Sequence, residues 1–184
     1  VALFAGLVLL VLFETALRLA QTGPPFRLFL PSVHEGREIS RINPLVSDQF
    51  FPPQYRRMVS NQVHFRVPKP PNTLRLFALG ASSLLGFPNP PETSFRNFLE
   101  RMLEDVYPSR QFEMLNCGIT AINTFCLLDF MDEIVAYGPD LIIIYAGHNE
   151  FVGPYGVSTP FVRIGNDRTF IRLYMWLQRT SIYH

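Results

Sequence analysis

The chain has 184 residues, 48% of them hydrophobic, with 16 Lys and Arg against 15 Asp and Glu. That length holds one domain plus an appendage, and a formal net charge of +1 with no face that collects Lys and Arg excludes a nucleic-acid footprint. Cys117 and Cys126 have neither metal-site spacing nor the numbers of a disulfide framework and read as buried thiols, while Arg56-Arg57 reads as a solvated surface pair.

The amino end is apolar from Val1 to Phe13 and then gives way to Glu14 and Arg18. Residues 1–20 therefore read as a transmembrane anchor, its apolar run shorter than the roughly 20 residues a spanning helix needs, so that its start is expected before Val1. A cleaved signal peptide is the rival, but cleavage after Ala20 or Ala16 would put Arg18 or Glu14 where a small residue is wanted; a buried soluble helix is the other alternative. Residues 21–71 are punctuated by Pro24, Pro25, Pro31, Pro52, Pro53, Pro68, Pro70 and Pro71, which suppress helix and central strand alike. This segment is expected to be a connector with a few edge strands that packs against the domain.

From residue 72 to 184 the rhythm becomes strand, helix, strand, helix, strand, which predicts an α/β domain with a parallel sheet. The first strand is Leu74 to Leu79, followed by the tight turn Gly80-Ala81-Ser82-Ser83. Ser94 is placed to cap a helix whose apolar positions Phe95, Phe98, Leu99, Met102, Leu103 and Val106 recur at three and four residues, and Pro108 stops it. The second strand is Phe112 to Leu115, ending in Asn116-Cys117-Gly118. A second helix from Asn123 to Tyr137 buries Leu127, Phe130, Met131 and Ile134 before Gly138-Pro139 ends it. The short β-branched run Leu141 to Ala146 reads as a central parallel strand delivering Gly147-His148-Asn149-Glu150. Phe170, Leu173, Tyr174 and Leu177 form a final amphipathic stretch.

Ligands bind open α/β sheets beyond the carboxyl ends of the strands, and three strand ends here present Ser82, Gly118 and Asn149. A serine at a strand-to-helix turn can act as a nucleophile, a glycine lets its N–H approach a substrate oxygen, and an asparagine amide donates from fixed geometry. Each also has a plain structural role: Ser82 and Ser83 as caps, Gly118 as a turn glycine, Asn149 as a loop amide. Ser83 is the alternative nucleophile.

These residues resemble the SGNH (GDSL-type) hydrolases over about residues 69 to 155. Gly80-Ala81-Ser82 is similar to the first block of that superfamily, Asn116-Cys117-Gly118 to the second, and Gly147-His148-Asn149-Glu150 to the third. The resemblance implies a three-layer α/β/α, flavodoxin-like fold with a parallel sheet, incomplete at the carboxyl end and preceded by a transmembrane helix. It implies Ser82 as nucleophile, with its own N–H, the N–H of Gly118 and the side chain of Asn149 as oxyanion donors, and Gly80, Ser83, Gly147, His148 and Glu150 in supporting or substrate-contacting positions. Ala81 and Glu150 stand where the blocks carry aspartate. The fourth block, Asp-x-x-His, supplies the general base and occurs nowhere in these 184 residues. The base is therefore expected beyond residue 184, and these residues alone are expected to be inactive. His148 as an internal base is the less favoured alternative.

Lys69-Pro70-Pro71 leading into the first strand also resembles membrane-anchored bacterial members, some of which continue into tetratricopeptide repeats. The expected activity is hydrolysis of an acyl ester by a membrane-anchored, extracytoplasmic serine esterase without metal or organic cofactor. The alternatives are acetyl transfer to or from a cell-envelope polysaccharide and a catalytically silent interaction module.

Overall fold

A computed structural model describes residues 2–20, 27–56, 62–160, 167–178 and 180–183; Pro24, Pro25, Arg57 and His184 lie outside them. The described residues divide into two compact units, one spanning residues 27 to 160 and the other built from the amino-terminal helix and residues 167–183.

The larger unit contains two sheets. Strands β1 (Phe29–His34), β2 (Arg37–Ile42) and β3 (His64–Arg66) form an antiparallel sheet in that order. The hairpin between β1 and β2 turns through Glu35 and Gly36, both at positive φ. Strands β4 (Thr73–Gly80), β5 (Gln111–Gly118) and β6 (Leu141–Tyr145) form a parallel sheet in the order β5-β4-β6. Between β4 and β5 run the short helix α2 (Ser82–Leu85) and α3 (Phe95–Val106), and α4 (Thr124–Ala136) links β5 to β6. The chain leaves β4 towards β5 and then crosses back to β6, so right-handed crossovers put α3 and α4 on opposite faces. The contacts agree. Leu99 and Leu103 of α3 line an apolar cavity of about 650 Å³ with Leu74, Leu76 and Phe112. On the other face Arg75 reaches the carbonyl of Tyr137, the residue that ends α4. Helix, parallel sheet and helix thus make three layers, and the antiparallel sheet adds cover on the α4 side.

An aromatic cluster joins the two sheets. Phe29 of β1 packs on Phe65 of β3, Phe77 of β4 and Tyr137 at ring-centroid distances of 4.9, 5.9 and 5.4 Å. Glu133 of α4 anchors the start of β1, its two carboxylate oxygens accepting from the N–H groups of Leu28 and Phe29 at 2.7 and 2.8 Å. Arg75 is 1% exposed and fully engaged. It donates to Glu113 and to the carbonyls of Tyr137 and Arg66, and its guanidinium lies 4.8 Å from the centre of the Phe65 ring. Buried charge is tolerated only with such partners.

The structure differs from several sequence expectations. The run Leu141 to Tyr145 forms a strand that, among the described residues, pairs on one side only, with β4, and leaves Leu141 50% and Ile144 56% exposed. A continuous apolar run reports two apolar faces and does not fix position within a sheet. In α3, Phe98, Met102 and Val106 face solvent, since the sheet beneath covers only the Leu99 and Leu103 side. Ser94 occupies the cap position without a side-chain cap bond; it is buried and lies within 3.5 Å of the Asn116 amide instead. Lastly, Met131 of α4 is only half-buried, while Cys126 joins Leu127, Phe130 and Ile134 inside.

The smaller unit comprises α1 (Ala2–Leu19) and α5 (Arg168–Gln178). Asp167 starts α5 by accepting from the N–H groups of Thr169 and Phe170. Its buried side is Ile171, Met175 and Gln178, whereas Phe170, Leu173 and Leu177 are exposed, the reverse of the expected apolar stripe. This helix is apolar on more than one face, and packing decides which is covered. In α1, Glu14 pairs with Arg18 and accepts from the N–H groups of Ser181 and Ile182. Leu3, Phe4 and Leu7 to Phe13 are exposed. Among the described residues no helix is long and apolar enough to cross a membrane. The anchor expected over residues 1–20, with its start before Val1, is thus not seen as a full span among the described residues.

Candidate active site

The three expected site residues leave three adjacent strands at one edge. In the parallel register Gly80 of β4 lies opposite Gly118 of β5 on one side and Tyr145 of β6 on the other. Ser82 follows Gly80 by two positions, and Asn149 follows Tyr145 by four. Strand order reverses at β4, so the crevice beyond its carboxyl end is the topological switch point where open α/β sheets bind ligands.

Ser82 is the first residue of α2 and half-buried. Its carbonyl accepts from the N–H groups of Gly86 and Phe87, which closes the turn beneath it. Its own N–H, at the first helical position, has no acceptor within the helix. No described residue hydrogen-bonds the Ser82 hydroxyl, so nothing described here poises it for deprotonation. Ser83, also half-buried, is the second residue of α2.

Gly118 is buried and has a structural reason to be glycine. A Cβ at this position would meet the backbone nitrogen of Leu85 at 2.7 Å, so the absent side chain lets α2 pack on the end of β5. The Gly118 N–H points to Oδ1 of Asn116 at 3.0 Å. Asn116 in turn donates to the carbonyl of Leu84 at 3.1 Å, tying α2 to β5. In the sequence Asn116 stands out only as part of the Asn116-Cys117-Gly118 block. A polar amide inside an otherwise apolar strand was the available signal, since a buried amide needs partners.

The loop after β6 is fixed from within. Gly147 has φ +143°, a conformation L side chains rarely adopt, which accounts for glycine there. The Asn149 amide donates to the carbonyl of Ile122 at 3.0 Å, leaving its second hydrogen for another acceptor. The carboxylate of Glu150 accepts from the N–H and hydroxyl of Thr124, at 3.1 and 2.6 Å, and so holds the first residue of α4. Its place is at a helix start. His148 is exposed and packs edge-on against Tyr145, with ring centroids 6.0 Å apart. Asn123, which sequence reasoning used only as a helix boundary, is buried and donates to the carbonyl of Pro154 at 2.7 Å, pinning the far end of the same loop.

Cys117 sits beside Gly118 but is fully buried, as is Cys126, and burial raises both thiols far above their ordinary range. The expected buried thiols are found. Among the described residues no group of three or more His, Cys, Asp or Glu side chains could hold a metal ion.

No protein-family model and no curated protein matches this sequence. Three solved chains resemble the structure. One is the crystal structure of AlinE4, described as an SGNH-hydrolase family esterase, with 20% sequence identity and a TM-score of 0.38. The likeness covers 45% of this chain and 44% of that one, so the chain spans less than half the length of the esterase it resembles.

Proposed function

We propose that the chain supplies the nucleophile and oxyanion side of a serine esterase site, with Ser82 as nucleophile. The observation that carries this reading is the placement of Ser82 two residues beyond the end of the middle strand β4 at the switch point, where Gly80 is flanked in register by Gly118 of β5 and by Tyr145 of β6, the strand that leads to Asn149. In the proposed reaction the Ser82 oxygen attacks the ester carbonyl carbon and its proton passes to a base. The tetrahedral oxyanion accepts from the Ser82 N–H and the second hydrogen of the Asn149 amide, and the Gly118 N–H joins them by turning from Asn116. The intermediate collapses, the alcohol leaves with a proton, and water releases the acid and restores the serine. Each oxyanion donor is worth about 2.7–4 kcal/mol in the transition state. Attachment to a lipid phase through the exposed apolar residues of α1 belongs to the same proposal.

A binding module without catalysis is the second reading. The observation in its favour is that Gly118 and Asn149 already spend amide hydrogens inside the fold. Hydrolysis of a p-nitrophenyl ester by the full-length protein and by its Ser82→Ala variant separates the two. The esterase reading predicts a loss of at least about a thousandfold in kcat/KM for the variant. Equal rates above the uncatalysed background would remove Ser82 as nucleophile, and no hydrolysis above background by either protein would favour the module.

A further inference from the structure

The register of the antiparallel sheet gathers cations that the sequence keeps apart. Directly paired residues point to the same face of a sheet, and side chains alternate along each strand. Phe29 with Ile42 and Ser40 with Phe65 define the buried face. The opposite face therefore carries His34 paired with Arg37, Arg66 paired with Ile39, and His64 paired with Arg41. No acidic residue of the three strands shares it, since Glu38 pairs with Val33 on the other face.

Part of this face lines a cavity of about 410 Å³, to which His34, Arg37, His64 and Arg66 all contribute. The two imidazole rings come together there with centroids 6.2 Å apart. The cavity also reaches Thr73 and Gln111, the paired first residues of β4 and β5. Each of these strands runs eight residues, so the cavity lies about 23 Å from Gly80, at the end of the parallel sheet opposite the candidate active site. Two carboxylates line it as well. Glu113 is neutralised by Arg75 at 2.5 Å, and Glu35 stands in the hairpin, 4.0 Å from Nε2 of His34. Among the described residues no side chain pairs with the guanidinium of Arg37, Arg41 or Arg66.

Exposed like charges repel, and guanidinium forks without partners around one cavity make a site for an anion. The surroundings select which anion. This face carries no aromatic ring besides the two imidazoles, so it offers no platform for the stacked bases of a single strand. A carboxylate has two oxygens and is satisfied by one fork, whereas a terminal phosphate presents three and can accept from both guanidiniums and an imidazole together. We propose that this cavity binds a phosphate monoester, with Arg37 and Arg66 as its principal donors and His34 and His64 completing the shell. The site is independent of the reaction proposed for Ser82.

The test is calorimetric titration of the full-length protein with glycerol 3-phosphate at low ionic strength. Binding at least about tenfold tighter than that of acetate is expected, and Arg37→Gln and Arg66→Gln should each weaken it at least about fivefold. Both side chains are exposed and hold nothing else in place, so these variants keep the fold, and unchanged circular dichroism checks this. Arg101→Gln, an exposed arginine of α3, and Ser82→Ala should bind as the parent does. Phosphatidylcholine vesicles with and without phosphatidic acid separate the sources of the group. Glycerol 3-phosphate binding that needs Arg37 and Arg66 supports a soluble ester, and phosphatidic acid-dependent vesicle binding with the same requirement supports a lipid headgroup. No binding of either probe, binding indifferent to both substitutions, or equal affinity for acetate overturns the site. Tighter binding of a single-stranded oligonucleotide through the same arginines overturns it in favour of a polyanion surface.

Discussion

Replacing Arg75 with methionine tests how the two sheets of the larger unit are joined. Arg75 is 1% exposed, and its guanidinium bonds Glu113 of β5, the carbonyl ending α4 and the carbonyl of Arg66 in β3. Methionine refills much of the volume but supplies no donor. Glu113, its side chain 21% exposed, then keeps a charge without its partner, and two carbonyls lose their donors. Hydrogen bonds to charged groups are each worth about 1.5–3 kcal/mol, and three would sum to more than is observed when a buried pair is broken, which is about 3–5 kcal/mol, because relaxation and water recover part. The expected cost is about 4 kcal/mol, a large share of the roughly 5–15 kcal/mol that holds a domain together. With a urea m-value of about 2 kcal/mol/M, the midpoint falls by about 2 M. Adding Glu113→Leu to Arg75→Met removes the stranded charge and is expected to restore at least half of the loss. Urea denaturation followed by far-ultraviolet circular dichroism reads both variants. A loss below about 1 kcal/mol for Arg75→Met would refute the view that this buried guanidinium holds β3, β4, β5 and α4 together.

Other consequences are separately measurable. Glu133→Gln keeps the shape of the carboxylate but removes its charge and one of two acceptors for Leu28 and Phe29, so a loss of about 1–2 kcal/mol and earlier proteolysis near residue 27 are expected. Asp140 accepts from Lys69 at 2.8 Å and from the Arg75 N–H at 2.7 Å, and these hydrogen bonds hold its carboxyl below the ordinary aspartate range. Its contribution is therefore complete above about pH 4 and is lost as pH falls through the lower folded value; Asp140→Asn should flatten the acid limb of stability against pH, and an unchanged limb would discount the pairing. Cys117 and Cys126 should resist a thiol-reactive disulfide reagent in the native protein and react fully in urea, since burial keeps both protonated.

Local patterning was readable from sequence, and pairing over distance was not. The expected strand Leu74 to Leu79 lies within β4, Phe112 to Leu115 lies within β5, and the helix expected from Asn123 to Tyr137 is α4 with both end residues as caps. In these segments apolar spacing and the terminating glycine or proline act within a few residues. The antiparallel sheet was legible only as scattered edge strands, because its register depends on partners such as Ser40 with Phe65 that no local period encodes. At the site, residue types were legible while their partners were not. Gly118 looked like a free donor, and only the fold shows Asn116 accepting its N–H. Glu150 looked like a departure from a motif aspartate, and its carboxylate is spent at the start of α4.

The most direct measurement of the central claim is mass spectrometry of the full-length protein after exposure to a fluorophosphonate, which couples to serines activated as nucleophiles. The account predicts a single adduct on the peptide containing Ser82, abolished by Ser82→Ala and retained in Ser83→Ala. An unlabelled protein that hydrolyses no ester, or an adduct that persists in Ser82→Ala, would contradict it.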